Sequence, residues 1–395
     1  MEFFDLTING KKIIYLDNGA TTPKPKIVLE TYLNYLQNET ANTHSTHQLS
    51  INTAHKVSKA RQVVADFVNS KPENIIFTSG ATATFNLLAN SFWISSLGKD
   101  KTVFDISSKK EILVTVSDHH SNFVPWQVLA KKLDMQFVVA NSVQNVSEIL
   151  AKINHNTAIV AMPHISNVTG NCFDIYTIQK KCKEFGAMLV VDACQSVAHQ
   201  QLFAKDLDFV VFSSHKMYAP SGVGVLVSNF LTQMQPTVFG GDMVQIVTKE
   251  KTTWADLPHK LEAGTSNFGA IIALGEAIKF IQSIPNIDQK ETNLTNYLRT
   301  ELGKIEDIKF VGNGKSIVSF VFEGVHSLDI AMYLDTKNIA IRSGSHCAQP
   351  LLEFLKLEDV CRISVGFYNT FEELDYTITQ ISKFVAKIRN KKNSN

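Results

Sequence analysis

Between about residue 60 and residue 230 the chain alternates short, almost continuously apolar runs with longer stretches of helical period. Few folds accommodate that rhythm. The runs are ENIIFTS, EILVTVS, MQFVVA, TAIVAMPHIS, AMLVVDA, DFVVFSS and GVGVLVS, and patterns such as FNLLANSFWISSL, VPWQVLAKKL and DIYTIQKKCKEFG separate several of them. Strands apolar on both faces belong inside a mainly parallel sheet covered by helices, so the pattern predicts an α/β domain. After LPHKLEAGTSNFG the texture changes to two helical segments, then the runs IKFVG, SIVSFVFEG and IAIRS, and a closing stretch that begins ISVGFYN. Helices mixed with a few strands predict a smaller α+β domain. The boundary is expected near residue 266, with a large domain over 17–265 and a small one built from 1–16 together with 266–395.

Charge excludes some function classes. With 38 basic and 37 acidic residues the net charge is +1, so no general attraction to nucleic acid is expected. Only the tail KIRNKKNSN is basic, and it is expected to fray into solvent. No stretch reads as a membrane span, and the acidic, weakly apolar N-terminus does not read as a secretory signal. Cys172, Cys182, Cys194, Cys347 and Cys361 are odd in number and lack C-x-x-C spacing, which argues against a disulfide framework or a metal site and favours a reducing cytoplasm.

In an open parallel sheet, ligands collect beyond the carboxyl ends of the strands. The residues there are polar: Ser79-Gly80-Ala81-Thr82 leading into a helix, Asp118-His119-His120, Asn167, Asp192, and Ser213-Ser214-His215-Lys216. The SGAT turn would offer free N–H groups to a phosphate, although by itself a plain helix cap is the commoner reading. Asp192 and Lys216 suit a pyridoxal phosphate enzyme, in which a lysine carries the cofactor and an acid keeps the ring nitrogen protonated. On these two residues alone a structural ion pair is the plainer reading. His119 can stack on a flat ring or be a satisfied histidine. Cys347, in IAIRSGSHCAQP with His346 beside it and Arg342 nearby, has the surroundings of a reactive thiol. Arg362, in CRISVGFYN, can grip a carboxylate or sit on the surface.

Taken together, YLDNGATTPKP, DHHSNFVPWQ, HISNVTGN, VVDACQSVAH, FSSHKMYAPSGVGVL, LEAGTSNFGAIIALG, RSGSHCAQPLL and CRISVGFYNTFEELD resemble the SufS-type (group II) cysteine desulfurases. These belong to the class V aminotransferase superfamily, within fold type I of the pyridoxal phosphate enzymes, and their branch includes selenocysteine lyases. The resemblance runs nearly end to end. It implies that Lys216 carries pyridoxal 5'-phosphate, Asp192 meets the pyridine nitrogen, His119 stacks on the ring, and Gln195 and Asn167 approach the phenolic oxygen. It implies a phosphate cradle of Ala81, Thr82, Ser213 and His215, completed by Thr265 across a homodimer. Cys347 matches the persulfide-forming cysteine, and Arg362, with Arg342 nearby, the arginine that binds the substrate carboxylate. The implied reaction converts L-cysteine to L-alanine and passes sulfur to a SufU- or SufE-like acceptor of iron–sulfur assembly. Selenocysteine lyase and cysteine sulfinate desulfinase share these residues, and a non-catalytic sulfur carrier would keep the fold. The chain departs from relatives at Ser45, in ANTHSTH, where they commonly carry arginine, at Ser345 before His346, and at Ser79.

Overall fold

The computed structural model of the chain describes residues 4, 6–8, 10–97, 106 and 108–393. All seven apolar runs are strands: β1 Ile75–Thr78, β2 Glu111–Thr115, β3 Gln136–Ala140, β4 Thr157–Pro163, β5 Met188–Asp192, β6 Phe209–Ser213 and β7 Gly224–Ser228. They form one sheet in the order β1-β7-β6-β5-β4-β2-β3. Only β7 runs antiparallel to its neighbours, so the other six strands end at the same edge. Every residue of β4, β6 and β7 is buried, as expected of strands covered on both faces.

The helices are α1 Lys26–Asn34, α2 Gln48–Phe67, α3 Ala81–Leu97, α4 His120–Lys132, α5 Ser147–Lys152, α6 Ile175–Phe185, α7 Phe268–Ser283, α8 Ile287–Leu302, α9 Ser327–Asp335, α10 Gln349–Leu355 and α11 Phe371–Asn393. Local chemistry sets their ends. Asp174 accepts the N–H of Thr177 at the start of α6, and Gly186 ends that helix at φ 64°, a left-handed cap that glycine takes without strain. The basic tail expected to fray continues α11 as far as Asn393; residues 394 and 395 lie outside the described residues.

Two cores result. The first surrounds the large sheet and includes Ala270, Leu274, Ala277 and Ile281 of α7. By packing, the chain therefore changes core after α7, one helix beyond the junction expected near residue 266. The second core lies against an antiparallel sheet of β8 Ile308–Val311, β9 Ile317–Phe322, β10 Arg342–Gly344 and β11 Val360–Ser364, in the order β8-β9-β11-β10. Leu16 belongs to this core and Ile14–Tyr15 pairs with Ile339–Ala340, whereas Phe4 packs against the first core, on Tyr218 and Phe280. Residues 1–3, 5 and 9 of the N-terminal stretch lie outside the described residues.

The two parts meet tightly at the sheet edge. A small cluster joins Val116 and Val168, from loops after β2 and β4, to Ala348, Leu351 and Val360. Gly314 lies so close to Gly170 that a Cβ at position 314 would fall 2.3 Å from its backbone. Among the described residues no single helix is long and apolar enough to cross a membrane.

Candidate active site

The carboxyl ends of the parallel strands open into a cleft of about 430 Å³, lined by His119, Asn167, Asp192, Lys216, Arg342 and Arg362 among others. The topology thus gathers residues spread over more than half the chain.

Lys216 closes a single 3-10 turn, Ser214–Lys216, directly after β6. The apolar run before it suggests an amine kept from water, but the residue is only half buried and borders the open cleft. Its turn is held from behind. The His215 carbonyl accepts Thr22 N–H at 3.0 Å, Thr21 Oγ1 at 3.0 Å, Thr22 Oγ1 at 3.1 Å and Lys24 Nζ at 3.0 Å. Burial pushes Lys24 down to about 8. His215 is pushed down to about 4, by burial first and then by the charges of Lys216 and Lys24. Positive charge collects here, as a phosphate dianion requires.

Asp192 ends β5 and is 7% exposed, with Oδ1 accepting the N–H of Cys194 at 2.9 Å. His119 caps α4: its Nδ1 accepts the Ser121 N–H at 3.1 Å, so the proton of the neutral ring resides on Nε2. Burial, then the Lys216 charge, push His119 down to about 4 against an opposing pull from Asp192. The neighbouring Asp118 is wholly buried and fixes this turn. It accepts Thr115 N–H and Oγ1 at 2.8 Å each and Asn122 Nδ2 at 2.7 Å, and Trp126 Nε1 donates to Asn122 Oδ1 at 2.9 Å. The ring of His119 is thereby presented by a rigid helix start.

At the other end of the cleft, Ser213 Oγ accepts the Ala81 N–H at 2.9 Å, and Thr82 Oγ1 meets Ser121 Oγ at 2.7 Å. The turn into α3 presses on β7, where a Cβ at Gly224 would fall 2.4 Å from the carbonyl carbon of Gly80. A glycine there is what lets the helix start face the cleft. Gln195 lies behind the wall, with Nε2 donating to the Gly19 carbonyl at 2.7 Å.

Arg362 on β11 is 1% exposed, which rules out the surface alternative. It donates from NH1 to the Asn167 carbonyl and from NH2 to Asp17 Oδ1, both at 2.9 Å, and its buried Nε has no hydrogen-bond partner. Arg342 stands opposite it in the β10–β11 register. Asn167 donates Nδ2 to the His346 carbonyl at 2.8 Å and leaves a buried Oδ1 without a partner. Two buried polar atoms without partners in a cationic cleft are the mark of a site shaped for an anionic, hydrogen-bonding guest.

Cys347 is half buried in the loop between β10 and α10. His346 and Cys347 both take the left-handed conformation, at φ 51° and 55°, which costs about 1 kcal/mol or more for each non-glycine residue. Two of the bonds that hold the loop go to its carbonyls: Asn167 Nδ2 to that of His346, and the His120 N–H to that of Cys347 at 2.9 Å. The sequence suggested a thiol between cationic neighbours. His346 does not fit that role, because burial and then the Arg362 charge push it down to about 3 and keep it neutral. Thr265 is exposed and lines a neighbouring cleft of about 570 Å³ that shares Ser79, Ala83, Gly222 and Val223 with the first.

Asp17, Lys24 and Ser121 were not singled out from the sequence. Asp17 and Lys24 both lie within YLDNGATTPKP, so the signal was present, but only the folded chain brings them to Arg362 and the Lys216 turn.

The chain belongs to the family described as Aminotransferase class-V, which matches residues 14–377. Enzymes of this family work with pyridoxal 5'-phosphate, and the donor set fits that group: an amine, a carboxylate, a neutral imidazole and a helix start beside buried polar atoms without partners. More particularly, the chain is 38% identical to a probable cysteine desulfurase of Staphylococcus aureus, over 96% of this chain and 94% of that protein. A probable cysteine desulfurase of Staphylococcus epidermidis is also 38% identical, over 95% and 93%. Among solved structures, the apo cysteine desulfurase of Thermococcus onnurineus NA1 superposes with a TM-score of 0.88 at 32% identity, covering 95% of both chains. Cysteine desulfurase CsdA of Escherichia coli gives 0.86 at 29% identity, again over 95% of both.

Proposed function

We propose that this enzyme is a SufS-type cysteine desulfurase. It takes sulfur from L-cysteine, releases L-alanine, and holds the sulfur as a persulfide on Cys347 for an acceptor of iron–sulfur assembly of the SufU or SufE kind. The observation that carries the reading is the mounting of the Cys347 loop. It hangs by backbone carbonyls from Asn167, which lines the cleft, and from His120, which sits between the lining residues His119 and Ser121, and His346 beside Cys347 lines the cleft too, so the thiol is mounted next to an amine- and arginine-bearing cleft.

Pyridoxal phosphate would be held by Lys216 at its aldehyde carbon, Asp192 at the ring nitrogen, His119 on the ring face, and Asn167 and Gln195 near the phenolic oxygen. Ala81, Thr82, Ser213, His215 and Thr265 of the partner subunit would surround the phosphate. When bound, the cofactor supplies an electron sink for negative charge at the substrate Cα. Arg362 offers Nε and the second hydrogen of NH2 to the substrate carboxylate, and Arg342 adds charge beside it. Lys216, with its amine free, takes the Cα proton. The Cys347 thiolate attacks the substrate sulfur, forming the S–S bond as the Cβ–S bond breaks. The three-carbon remainder regains protons and leaves as alanine.

A homodimer is supported by exposed apolar side chains that a lone chain has no use for. Leu33, Leu36 and Ile51 of α1, the turn after it and α2 are 50%, 50% and 52% exposed, and Val238 and Phe239 are 66% and 60% exposed. Thr265, which lines the neighbouring cleft and not that of its own Lys216, fits a role across such an interface. Five free cysteines are in keeping with a reducing cytoplasm.

The test is L-alanine production from L-cysteine by the cofactor-loaded protein with a thiol reductant, beside Cys347→Ala. Alanine from the wild type alone supports the persulfide route. Equal alanine from both refutes it and favours a selenocysteine lyase or cysteine sulfinate desulfinase.

A further inference from the structure

The motif ANTHSTH has no part in the chemistry above, yet the fold gives its first histidine two partners. His44, in the loop before α2, places Nε2 at 2.6 Å from Asp242 Oδ1. The His259 ring stands edge-on to the His44 ring, with centroids 5.4 Å apart at 61°. One ligand atom from each residue lies within 4.8 Å of the others. Among the described residues neither ring nitrogen of His259 bonds to a protein group.

We propose that His44, Asp242 and His259 bind a divalent first-row transition ion of the zinc type. Two imidazoles and one carboxylate are a nitrogen–oxygen set suited to such ions, and three protein ligands leave a fourth position for water. With bonds of about 2.1 Å in a tetrahedron, neighbouring ligand atoms stand about 3.4 Å apart. The His44–Asp242 contact need open by only about 1 Å, which side-chain rotation supplies.

The surroundings accept a cation. The residues border a cavity of about 600 Å³ that also carries Glu73 and the Arg61–Glu262 pair. Arg61 is the one arginine there, and Glu262 neutralises it through two bonds of 2.8 Å. The loop 41–47 itself holds no lysine or arginine. Cysteine spacing gave no hint of this site, since histidines and an aspartate from three distant segments form it.

An ion there would clip together the loop before α2, the loop of Asp242, and the 3-10 turn His259–Leu261. Asp242's loop is already tied to the third segment by the Gly264 N–H on the Gly241 carbonyl at 3.0 Å. The clip would therefore brace the stretch that leads into Thr265. The site stands on its own ligands and does not depend on the desulfurase reading.

The test is a titration of cobalt(II), with zinc(II) as competitor, into the cofactor-loaded Cys347→Ala protein, so that this thiol takes no part. One equivalent per chain should give a ligand-field spectrum without sulfur-to-cobalt charge transfer, and zinc should displace it. His259→Gln and Asp242→Asn should each weaken binding at least ~10-fold, since losing even an outer-shell partner of a metal typically costs that much. Cofactor absorbance and the far-ultraviolet circular dichroism of both variants should match the parent, and zinc should raise the melting temperature of the parent alone. No cobalt spectrum, a spectrum with thiolate bands, or undiminished affinity in the variants overturns the site. If one variant fails to fold, the other variant and the parent spectrum decide.

Discussion

Arg362 depends for its counter-charge on Asp17, and replacing that aspartate by asparagine should expose how much. The guanidinium is 1% exposed and its NH2 lies 2.9 Å from Asp17 Oδ1, while its other bond goes to a neutral carbonyl. Stripping one member from a buried ion pair costs about 3–5 kcal/mol, because the remaining charge is left without compensation. Asp17 is 21% exposed, so water offsets part of the loss and the lower end, about 3 kcal/mol, is expected. That is about two decades in the folding equilibrium. Urea unfolding of the holoenzyme should be compared for the wild type, Asp17→Asn, Arg362→Met and the double variant. The double variant should be more stable than Asp17→Asn alone, since methionine leaves no orphaned charge. A carboxylate ligand such as L-alanine should stabilise Asp17→Asn more than the wild type by supplying the lost counter-ion. If Asp17→Asn unfolds within about 0.5 kcal/mol of the wild type, the range of an ordinary surface change, the pair is not what holds the arginine.

Acid should weaken the fold through His164 and His346, which burial pushes down to about 4 and about 3. Both are neutral when folded and gain a proton on unfolding below about pH 6.5, so stability is complete above that pH and falls as pH drops toward 4, by up to about 1.4 kcal/mol per pH unit for each. Unfolding free energy that stays flat over pH 4–6.5 would contradict this. Gly314→Ala should cost about 1–3 kcal/mol, because its Cβ would meet the Gly170 backbone at 2.3 Å and no flexible side chain can yield. A thermal scan with cofactor absorbance, which reports on the adjoining Asn167 loop, would register the loss. Lys24→Met removes a charge that depresses His215, so the His215 titration, followed by NMR, should move upward.

The large sheet was legible because each strand is apolar on both faces, a local signature that needs no knowledge of neighbours. Lys216 and Asp192 were legible for a related reason, as polar residues placed directly after such strands. The end of the first core was not. Helix α7 is apolar nearly all round, and nothing in FGAIIALGEAIKFIQS says which of two domains will bury it. His346 was misjudged for a similar reason. Beside Cys347 in sequence it reads as a cation, but burial beneath Val360, with Nε2 donating to that carbonyl at 3.1 Å, makes it a neutral wedge. Burial is a property of the assembled chain. Asp17 escaped notice because its partner lies 345 residues away.

The thiol loop is fastened through the carbonyl oxygens of His346 and Cys347, and every residue type owns a carbonyl. Attachment of this kind places little demand on the side chains it suspends. The side chain of Ser345 can thus be exchanged, and the outer face of the loop altered, without dismantling the support beneath. The loop's surface is free to drift while its mounting stays in place.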